Sequence, residues 1–311
     1  MNITNVMALR EIDSINHAAQ DCPEDFMEQT DRAFQAKVEG VAKALQGKAR
    51  IVMIAGPSGS GKTTTAHMLT DCLQKDGVGS LVVSLDDFYL GRERAPKLPD
   101  GSSDFETVHA LNLPLLQQCM KDILEKGACD MPRFDFQAGL PSPERVPVHL
   151  GQKDIVIFEG IHALDPLVAG TVQGEVCKVF ISVATGIEDD GTEVLSPRSL
   201  RLVRRMTRDF IFRNSSPQHT LKLWSGVIRG EEKYLMPHRH TADLQINSFH
   251  PYEPCVFRDN ILALLAEVRE EDENVHFASE ILRYMSRFTP ICPDWVPKNS
   301  LLREFIGPKG E

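Results

Sequence analysis

The chain has 311 residues, of which 42% are hydrophobic and 25% are charged, as in a soluble globular protein with a full core. Its formal net charge of -10 argues against a nucleic-acid-binding surface, which would need clustered positive charge. No apolar run approaches the roughly 20 residues that a membrane helix requires. We therefore expect neither a nucleic acid nor a membrane as a partner.

The 7 cysteines are scattered along the chain, and no two of them have Cys-x-x-Cys spacing. This pattern is typical of reduced thiols and does not suggest a disulfide framework or a zinc site. The first twenty or so residues lack a basic segment followed by an apolar one, which argues against a secretory signal. We expect a cytoplasmic protein, and the sequence leaves the formation of a homo-oligomer open.

Helices and short apolar strands alternate along the chain. Helices are predicted at 25–45, 62–74, 111–124, 198–214, 217–235, 258–270 and 275–288. Strands are predicted at 51–55, 81–85, 155–158, 179–183 and 242–246. Between them, the segments 96–104 and 138–150 are rich in Gly, Pro and Ser, which predicts surface loops. Unbroken apolar runs that alternate with helices are typical of a parallel sheet covered by helices on both faces.

The first predicted strand is followed by GPSGSGKT, which matches the pattern G-x-x-x-x-G-K-[ST]. In such a P-loop, backbone N–H groups and the N-terminus of the next helix surround phosphates. Lys62 is expected to reach the β- and γ-phosphates of ATP, and the hydroxyl of Thr63 to bind Mg²⁺. The alternative is a flexible Gly/Ser loop. The predicted ATP-binding residues of the loop are Gly56, Ser58, Gly59, Ser60, Gly61, Lys62, Thr63 and Thr64.

Two acidic residues stand where predicted strands end. Asp86 follows the second strand and could accept the proton of an acceptor hydroxyl during phosphoryl transfer. Glu159 follows the third strand and could support Mg²⁺ beside Thr63. In parallel sheets, ligands bind beyond the carboxyl ends of the strands, so one crevice would hold both residues. The alternative is that each acid only caps a turn.

Four arginines are spaced three and four residues apart on a predicted helix, which places them largely on one face. Guanidinium groups bind phosphates well, so we predict a lid that closes over ATP and neutralises charge on the transferred group. The residues are Arg201 and Arg205 as ATP contacts, and Arg204 and Arg208 as catalytic residues together with Lys62 and Asp86. The alternative is a solvated basic face paired with Asp209, Glu231 and Glu232.

These features predict an α/β fold of the P-loop NTPase type, with three layers and a mostly parallel sheet. An Arg-bearing lid helix and a C-terminal helical tail complete it. We expect an N-terminal extension with a helix at 1–44, a P-loop core at 45–250, and a helical tail packed on that core at 251–311.

Several motifs resemble the uridine kinase and phosphoribulokinase family of P-loop kinases. They are, in family order, GPSGSGKTT (56–64), LDDFY (85–89), MPRFDF (131–136), IFEGIHAL (157–164), RLVRRMTRD (201–209) and ADLQINS (242–248). The segments LWSGVIRGEEK (223–233) and NSLLREFIG (299–307) resemble the kinase half of bacterial nucleoside (uridine) kinases that carry a threonyl-tRNA-synthetase-like N-terminal region. The resemblance covers roughly 45–307.

The resemblance implies Asp86 as the catalytic base and Glu159 as the acid of the magnesium side. It also implies a nucleoside pocket shaped by Tyr89, Glu106, Phe134 and Asp135, together with Asp86. The pyrimidine-contacting Tyr and His of uridine kinases are replaced here by Phe134 and Gly139. A site that loses hydrogen bonds to a base loses discrimination for that base.

We therefore expect an ATP- and Mg²⁺-dependent kinase that phosphorylates a primary hydroxyl of a uridine- or cytidine-like nucleoside. Two alternatives stay open. The acceptor could be another small hydroxylated metabolite, or the protein could be a nucleotide-dependent switch without an acceptor. Asp86 and the arginine stripe argue against a switch, which needs neither.

Overall fold

The computed structural model of the chain describes residues 5–98, 101, 103–135, 137–170, 174–268 and 275–308. Its strands are β1 (Ile51–Ala55), β2 (Ser80–Ser84), β3 (Ala128–Asp135), β4 (Leu140–His149), β5 (Ile155–Glu159), β6 (Val176–Ser182), β7 (Ile187–Asp189), β8 (Thr192–Leu195) and β9 (Leu244–Asn247). Its helices are α1 (Ile12–Asp21), α2 (Pro23–Leu45), α3 (Lys62–Lys75), α4 (Leu113–Lys126), α5 (Pro166–Ala169), α6 (Pro197–Arg213), α7 (Pro217–Gly230), α8 (Glu253–Ala266), α9 (Val275–Met285) and α10 (Arg303–Ile306).

The central sheet has five strands in the order β2-β5-β1-β6-β9, and every neighbouring pair is parallel. β1 is buried along its whole length, and its side chains alternate between two cores. Val52 and Ile54 join the core that includes α2 and α8, whereas Ile51 and Met53 join the core that includes α4. The predicted α/β fold with helices on both faces of a parallel sheet is confirmed.

The predicted loop at 138–150 is wrong, because most of it forms β4, which pairs antiparallel with β3. The segment resembles a loop in the sequence because it contains three prolines, Pro141, Pro143 and Pro147. Proline cannot donate a ladder hydrogen bond, but a two-stranded ribbon leaves one edge of each strand free, where proline is tolerated. The resulting hairpin contains Phe134 at the end of β3 and Gly139 in its turn.

Two other boundaries matter for the site. β2 ends at Ser84, and a 3₁₀ turn at Leu85–Phe88 follows it. The long helix predicted at 217–235 ends at Gly230, and a π-helical turn continues over Glu231–Leu235. Single π turns are common at functional sites because they change the direction of side chains. The two turns carry Asp86 and Glu231, respectively.

The N-terminal helices and the tail belong to one core with the sheet. Ile15 of α1 and Phe34 of α2 are buried in the same cluster as Leu301 and Phe305 near the C-terminus. The predicted tail helix at 258–270 corresponds to α8, although residues 269 and 270 lie outside the described part of the chain. None of the helices in the described ranges has the length and apolar content required to cross a membrane.

Candidate active site

The P-loop connects the carboxyl end of β1 to the start of α3, and its backbone depends on glycine. Gly59 and Gly61 have φ values of 74° and 82°, in the left-handed region that other residues rarely adopt. A Cβ atom at Gly56 would lie 2.1 Å from the carbonyl oxygen of Ile181 on β6. The glycines therefore allow the loop to curl tightly beside the sheet.

A cavity of about 290 Å³ lies over this loop. Its wall includes eleven of the predicted site residues, namely Ser58, Gly59, Gly61, Lys62, Thr63, Asp86, Tyr89, Glu106, Glu159, Arg205 and Arg208. It also includes Gly160, Ile161, Arg213, Val227, Glu231 and Glu304, which were not predicted as site residues. The carboxyl ends of β1, β2 and β5 thus bring the P-loop, Asp86 and Glu159 into one crevice.

Three of the P-loop residues predicted to bind ATP lie outside the cavity wall. Gly56 is packed against β6, as described above. The hydroxyl of Ser60 is buried without a hydrogen-bond partner, and its backbone N–H donates to the carbonyl of Pro57 at 3.2 Å. Thr64 donates its hydroxyl hydrogen bond to Glu304 at 2.7 Å.

Thr63 and Glu159 form the part of the cavity with oxygen ligands suitable for Mg²⁺. The Thr63 hydroxyl donates to Oε1 of Glu159 at 3.4 Å. Hard divalent cations prefer carboxylate and hydroxyl oxygens, and Mg²⁺ in nucleotide sites completes its shell with phosphates and water. Among residues of described placement, no group of three His, Cys, Asp or Glu side chains forms a self-sufficient metal site. The residues present therefore fit a cation that arrives with a nucleotide.

The two aspartates after β2 have different surroundings. Asp86 lines the cavity, and its pKa rises to about 6, mainly because of burial and secondly because of the nearby charge of Glu159, while Lys62 opposes the rise. Asp87 accepts hydrogen bonds from the backbone N–H of Phe134 and from Arg133, both at 3.1 Å. Asp87 thus fastens the β3–β4 hairpin, and Asp86 is the carboxylate that faces the P-loop.

Tyr89 and Glu106 line the cavity on the side of Asp86. The Tyr89 hydroxyl donates to the carbonyl of Phe105 at 3.2 Å, and burial raises the pKa of both Tyr89 and Glu106. Phe134 does not reach the wall but packs edge-on against the Tyr89 ring, with centroids 5.8 Å apart. Its role is therefore to support Tyr89.

The prediction that Asp135 shapes the pocket is corrected by its surroundings. Asp135 is exposed, and its carboxylate accepts hydrogen bonds from the backbone N–H groups of Gln137 and Ala138, both at 2.9 Å. These bonds close the turn between β3 and β4, because a short acidic side chain can reach the N–H groups of the next residues. Asp135 lies outside the cavity wall.

Three of the four arginines of α6 donate hydrogen bonds to the P-loop, and only Arg205 and Arg208 line the cavity. Arg201 donates to the carbonyl of Ser58 at 3.0 Å and forms a bidentate pair with Glu231, with both bonds at 2.8 Å. Arg204 is 0% exposed, pairs with Glu253, and donates to the carbonyl of Gly59 at 3.2 Å. The lid role expected for these two residues is corrected, because carboxylates and loop carbonyls already occupy their guanidinium groups.

Arg205 and Arg208 reach the cavity one turn further along α6. Arg205 donates to the hydroxyl of Ser58 at 3.0 Å. Arg208 donates to Glu304 at 3.3 Å, and burial lowers its pKa, while Glu304 opposes that shift. Arg205 also pairs with Asp209 at 3.2 Å, so the paired-face alternative describes Arg201 and part of the contacts of Arg205. Arg205 and Arg208 nevertheless line the cavity, as the phosphate-facing alternative requires.

Glu231 and Glu304 are the acidic wall residues that residue-type reasoning missed. Glu231 accepts a hydrogen bond from the backbone N–H of Ser58 at 2.9 Å, in addition to its pair with Arg201. Glu304 binds Thr64 and Arg208. Both lie in segments already noted for their resemblance to bacterial nucleoside kinases, so that signal could have identified them.

These features define a P-loop nucleotide-phosphate site: a glycine-rich loop after β1, a lysine, a hydroxyl–carboxylate pair, and guanidinium groups that line the cavity. Residues 51–252 match the model of the phosphoribulokinase / uridine kinase family. The chain belongs to this family, and it is an ATP-dependent small-molecule kinase.

Similar proteins include a uridine kinase from Lactobacillus johnsonii, 28% identical over 195 residues, which cover 62% of this chain and 84% of that protein. A uridine-cytidine kinase C from Dictyostelium discoideum is 26% identical over 218 residues, which cover 69% of this chain and 42% of that protein. The solved structure of a possible uridine kinase from Bacillus stearothermophilus is 17% identical, with 68% of this chain and 97% of that chain covered and a TM-score of 0.45.

Proposed function

We propose that this kinase transfers the γ-phosphate of ATP to a primary hydroxyl of a small polyhydroxylated acceptor, a nucleoside of the uridine or cytidine type, with Asp86 as the general base. The observation that carries the proposal is the position of Asp86, a partly buried carboxylate in the same cavity as the P-loop lysine. A base acts on a hydroxyl that lies between it and the phosphate.

In the proposed reaction, P-loop N–H groups and Lys62 hold the β- and γ-phosphates. The acceptor oxygen attacks the γ-phosphorus while its proton moves to the Asp86 carboxylate, and ADP leaves. Arg205 and Arg208 lie where they could stabilise charge on the transferred group, since positioning and electrostatic stabilisation supply most catalysis of phosphoryl transfer.

The charge balance of the wall supports a requirement for Mg²⁺. Its acidic residues are Asp86, Glu106, Glu159, Glu231 and Glu304, and its basic residues are Lys62, Arg205, Arg208 and Arg213. The acids already outnumber the bases, so a polyanionic nucleotide would add charge that the side chains cannot offset. Thr63 and Glu159 would hold the cation, which supplies the missing positive charge.

Tyr89 and Glu106 support a hydroxylated acceptor beside Asp86, because their oxygens can bind hydroxyl groups.

A second candidate acceptor lacks the pyrimidine base. Gly139 has a φ of 69°, and a Cβ atom there would lie 2.8 Å from Nε of Arg92. Arg92 is exposed and can move aside, so it is the left-handed φ that favours glycine at position 139. Glycine has no side chain to contact a base, which favours a hydroxylated metabolite that is recognised without that contact.

A screen of acceptors with purified protein, Mg-ATP and coupled detection of ADP tests the proposal. We expect uridine or cytidine to release ADP well above the acceptor-free rate, with the product phosphorylated on its primary hydroxyl. Failure of both nucleosides alongside a positive sugar or polyol would favour the second candidate. Slow ADP release that no acceptor accelerates would contradict both and indicate a nucleotide-dependent switch.

The Asp87→Asn variant serves as the matched control for Asp86→Asn in this screen. Asp87 is the adjacent carboxylate, and it is bound to β3. If Asp86 is the base, only the Asp86 variant loses acceptor-stimulated ADP release. Equal losses in both variants would mean that the turn as a whole, and not one carboxylate, matters.

A further inference from the structure

The C-terminal segment 299–307 reaches the nucleotide site although it lies beyond the residues 51–252 that the family model matches. Glu304 is part of the cavity wall. The side chain of Leu301 lies against the P-loop, where a Cβ atom at Gly61 would be 2.7 Å from its Cδ1. The segment is therefore in direct contact with the phosphate-binding loop.

This segment is firmly anchored. Leu301, Leu302 and Phe305 are each 0% exposed. The hydroxyl of Ser300 forms hydrogen bonds with Tyr252 at 2.7 Å and with Asp31 at 3.0 Å. Such burial and hydrogen bonding hold the backbone on both sides of Glu304, so its carboxylate has a defined position.

Glu304 joins two parts of the site. Its Oε2 accepts a hydrogen bond from the Thr64 hydroxyl at 2.7 Å, and its Oε1 accepts one from Arg208 at 3.3 Å. The Phe305 ring lies under the same guanidinium, with 6.0 Å between Cζ of Arg208 and the ring centroid. Two consecutive residues of the segment thus fix Arg208 by charge and by packing.

Arg208 has few other partners. Its second acidic neighbour, Asp209, lies 3.9 Å away and also pairs with Arg205 and Arg213. Its Nε is buried and has no hydrogen-bond partner. A buried donor without an acceptor costs free energy, so the neighbours of Arg208 do not satisfy all of its donors. Arg208 lines the cavity, where guanidinium groups bind phosphates well.

We propose that the C-terminal segment is a functional part of the ATP site, in which Glu304 is a positioning residue that is held by the Thr64 hydroxyl and directs Arg208 toward the phosphates of the donor nucleotide. The proposal rests on the proposed function only in taking ATP as the donor. It assigns to the nucleotide site a segment, 299–307, that lies outside the residues 51–252 matched by the family model.

The test uses the full chain and measures by calorimetry the Kd for a non-hydrolysable ATP analogue in the presence of Mg²⁺. Glu304→Gln should weaken binding about tenfold, and Arg208→Gln at least as much, since each change removes a charge-assisted contact. The double variant should bind within about twofold of Arg208→Gln alone, because Glu304 acts through Arg208. Glu304→Asp keeps the charge and should fall between the wild type and Glu304→Gln.

Asp294→Asn is the control, because Asp294 is an exposed acid of the same C-terminal region and does not line the cavity. It should bind the analogue within about twofold of the wild type. Thermal unfolding of each variant separates a loss of contact from a loss of fold. If Glu304→Gln does not fold, the same cycle is built with Glu304→Asp.

Wild-type or tighter binding by Glu304→Gln would overturn the proposal, since a tighter complex would make Glu304 a competitor of the phosphates. Effects of Glu304→Gln and Arg208→Gln that multiply in the double variant would also overturn it. The binding assay needs no acceptor, so a failure to find a phosphorylated product would count against the proposed function and leave this result intact.

Discussion

Replacing Asp86 by Asn tests the base and its electrostatic environment together. The carboxylate has a pKa raised from 3.8 to about 6, chiefly by burial and then by the charge of Glu159. Asn is similar in size but neutral, and it cannot accept a proton at neutral pH. The variant should therefore lower kcat by about 10²–10⁴-fold, the usual contribution of a general base. Binding of Mg-ATP should change little.

The same shift predicts an effect on stability. A carboxyl group whose pKa is raised by folding contributes stability that is complete below about pH 3.8 and is lost as the pH rises through about 6. A shift of about two units corresponds to about 3 kcal/mol. Asp86→Asn should therefore be more stable than the wild type by up to about 3 kcal/mol at pH 8, and the difference should shrink toward zero near pH 4.

Denaturant unfolding at pH 8 and pH 4, together with the pH dependence of kcat/KM, measures both effects. For the wild type, kcat/KM should fall about tenfold per pH unit below about pH 6 as the base is protonated. The Asp87→Asn control should lose about 1 kcal/mol, because its contacts to Arg133 and Phe134 weaken. An Asp86→Asn variant that keeps more than a tenth of kcat, or is less stable than the wild type at pH 8, would refute the reasoning.

Three further outcomes follow from other contacts. Lys62→Met should weaken Mg-ATP binding on the order of 100-fold in calorimetry, because no second lysine among the described residues lines the cavity wall. Arg204→Met should destabilise the fold by about 3–5 kcal/mol in denaturant unfolding, since Glu253 is left buried and unpaired. A second substitution, Glu253→Gln, should restore part of that lost stability. Gly56→Ala should lower the free energy of unfolding by at least about 1–3 kcal/mol, because the new Cβ would meet a backbone carbonyl. Gly40→Ala in α2 should raise it by up to about 1 kcal/mol, because a Cβ there has no atom of the described residues within 4 Å.

Local sequence patterns predicted those parts of the fold that can be recognised from a single helix, strand or loop. The run Ile51–Ala55 is buried on both sides, so it contains only apolar residues and identifies a central strand. The spacing of the glycines and Lys62 identifies the P-loop, because the positive φ values at Gly59 and Gly61 are local requirements for glycine. β4 escaped prediction because its prolines resemble those of a loop, and only the pairing with β3 shows that they stand on a two-stranded ribbon.

The sequence by itself determined that a P-loop and a strand-end Asp86 share one end of a parallel sheet, and that four arginines lie largely on one face of a helix, because strand ends and helical spacing are local properties. Only the tertiary structure decided which charges remain available there. Arg205 and Arg208 line the cavity although they pair with Asp209 and Glu304. Arg201 and Arg204 have the same spacing, yet they lie outside the cavity wall in pairs with Glu231 and Glu253. Those partners lie 30 and 49 residues away, so folding alone brings them together and selects the guanidinium groups that face the cavity.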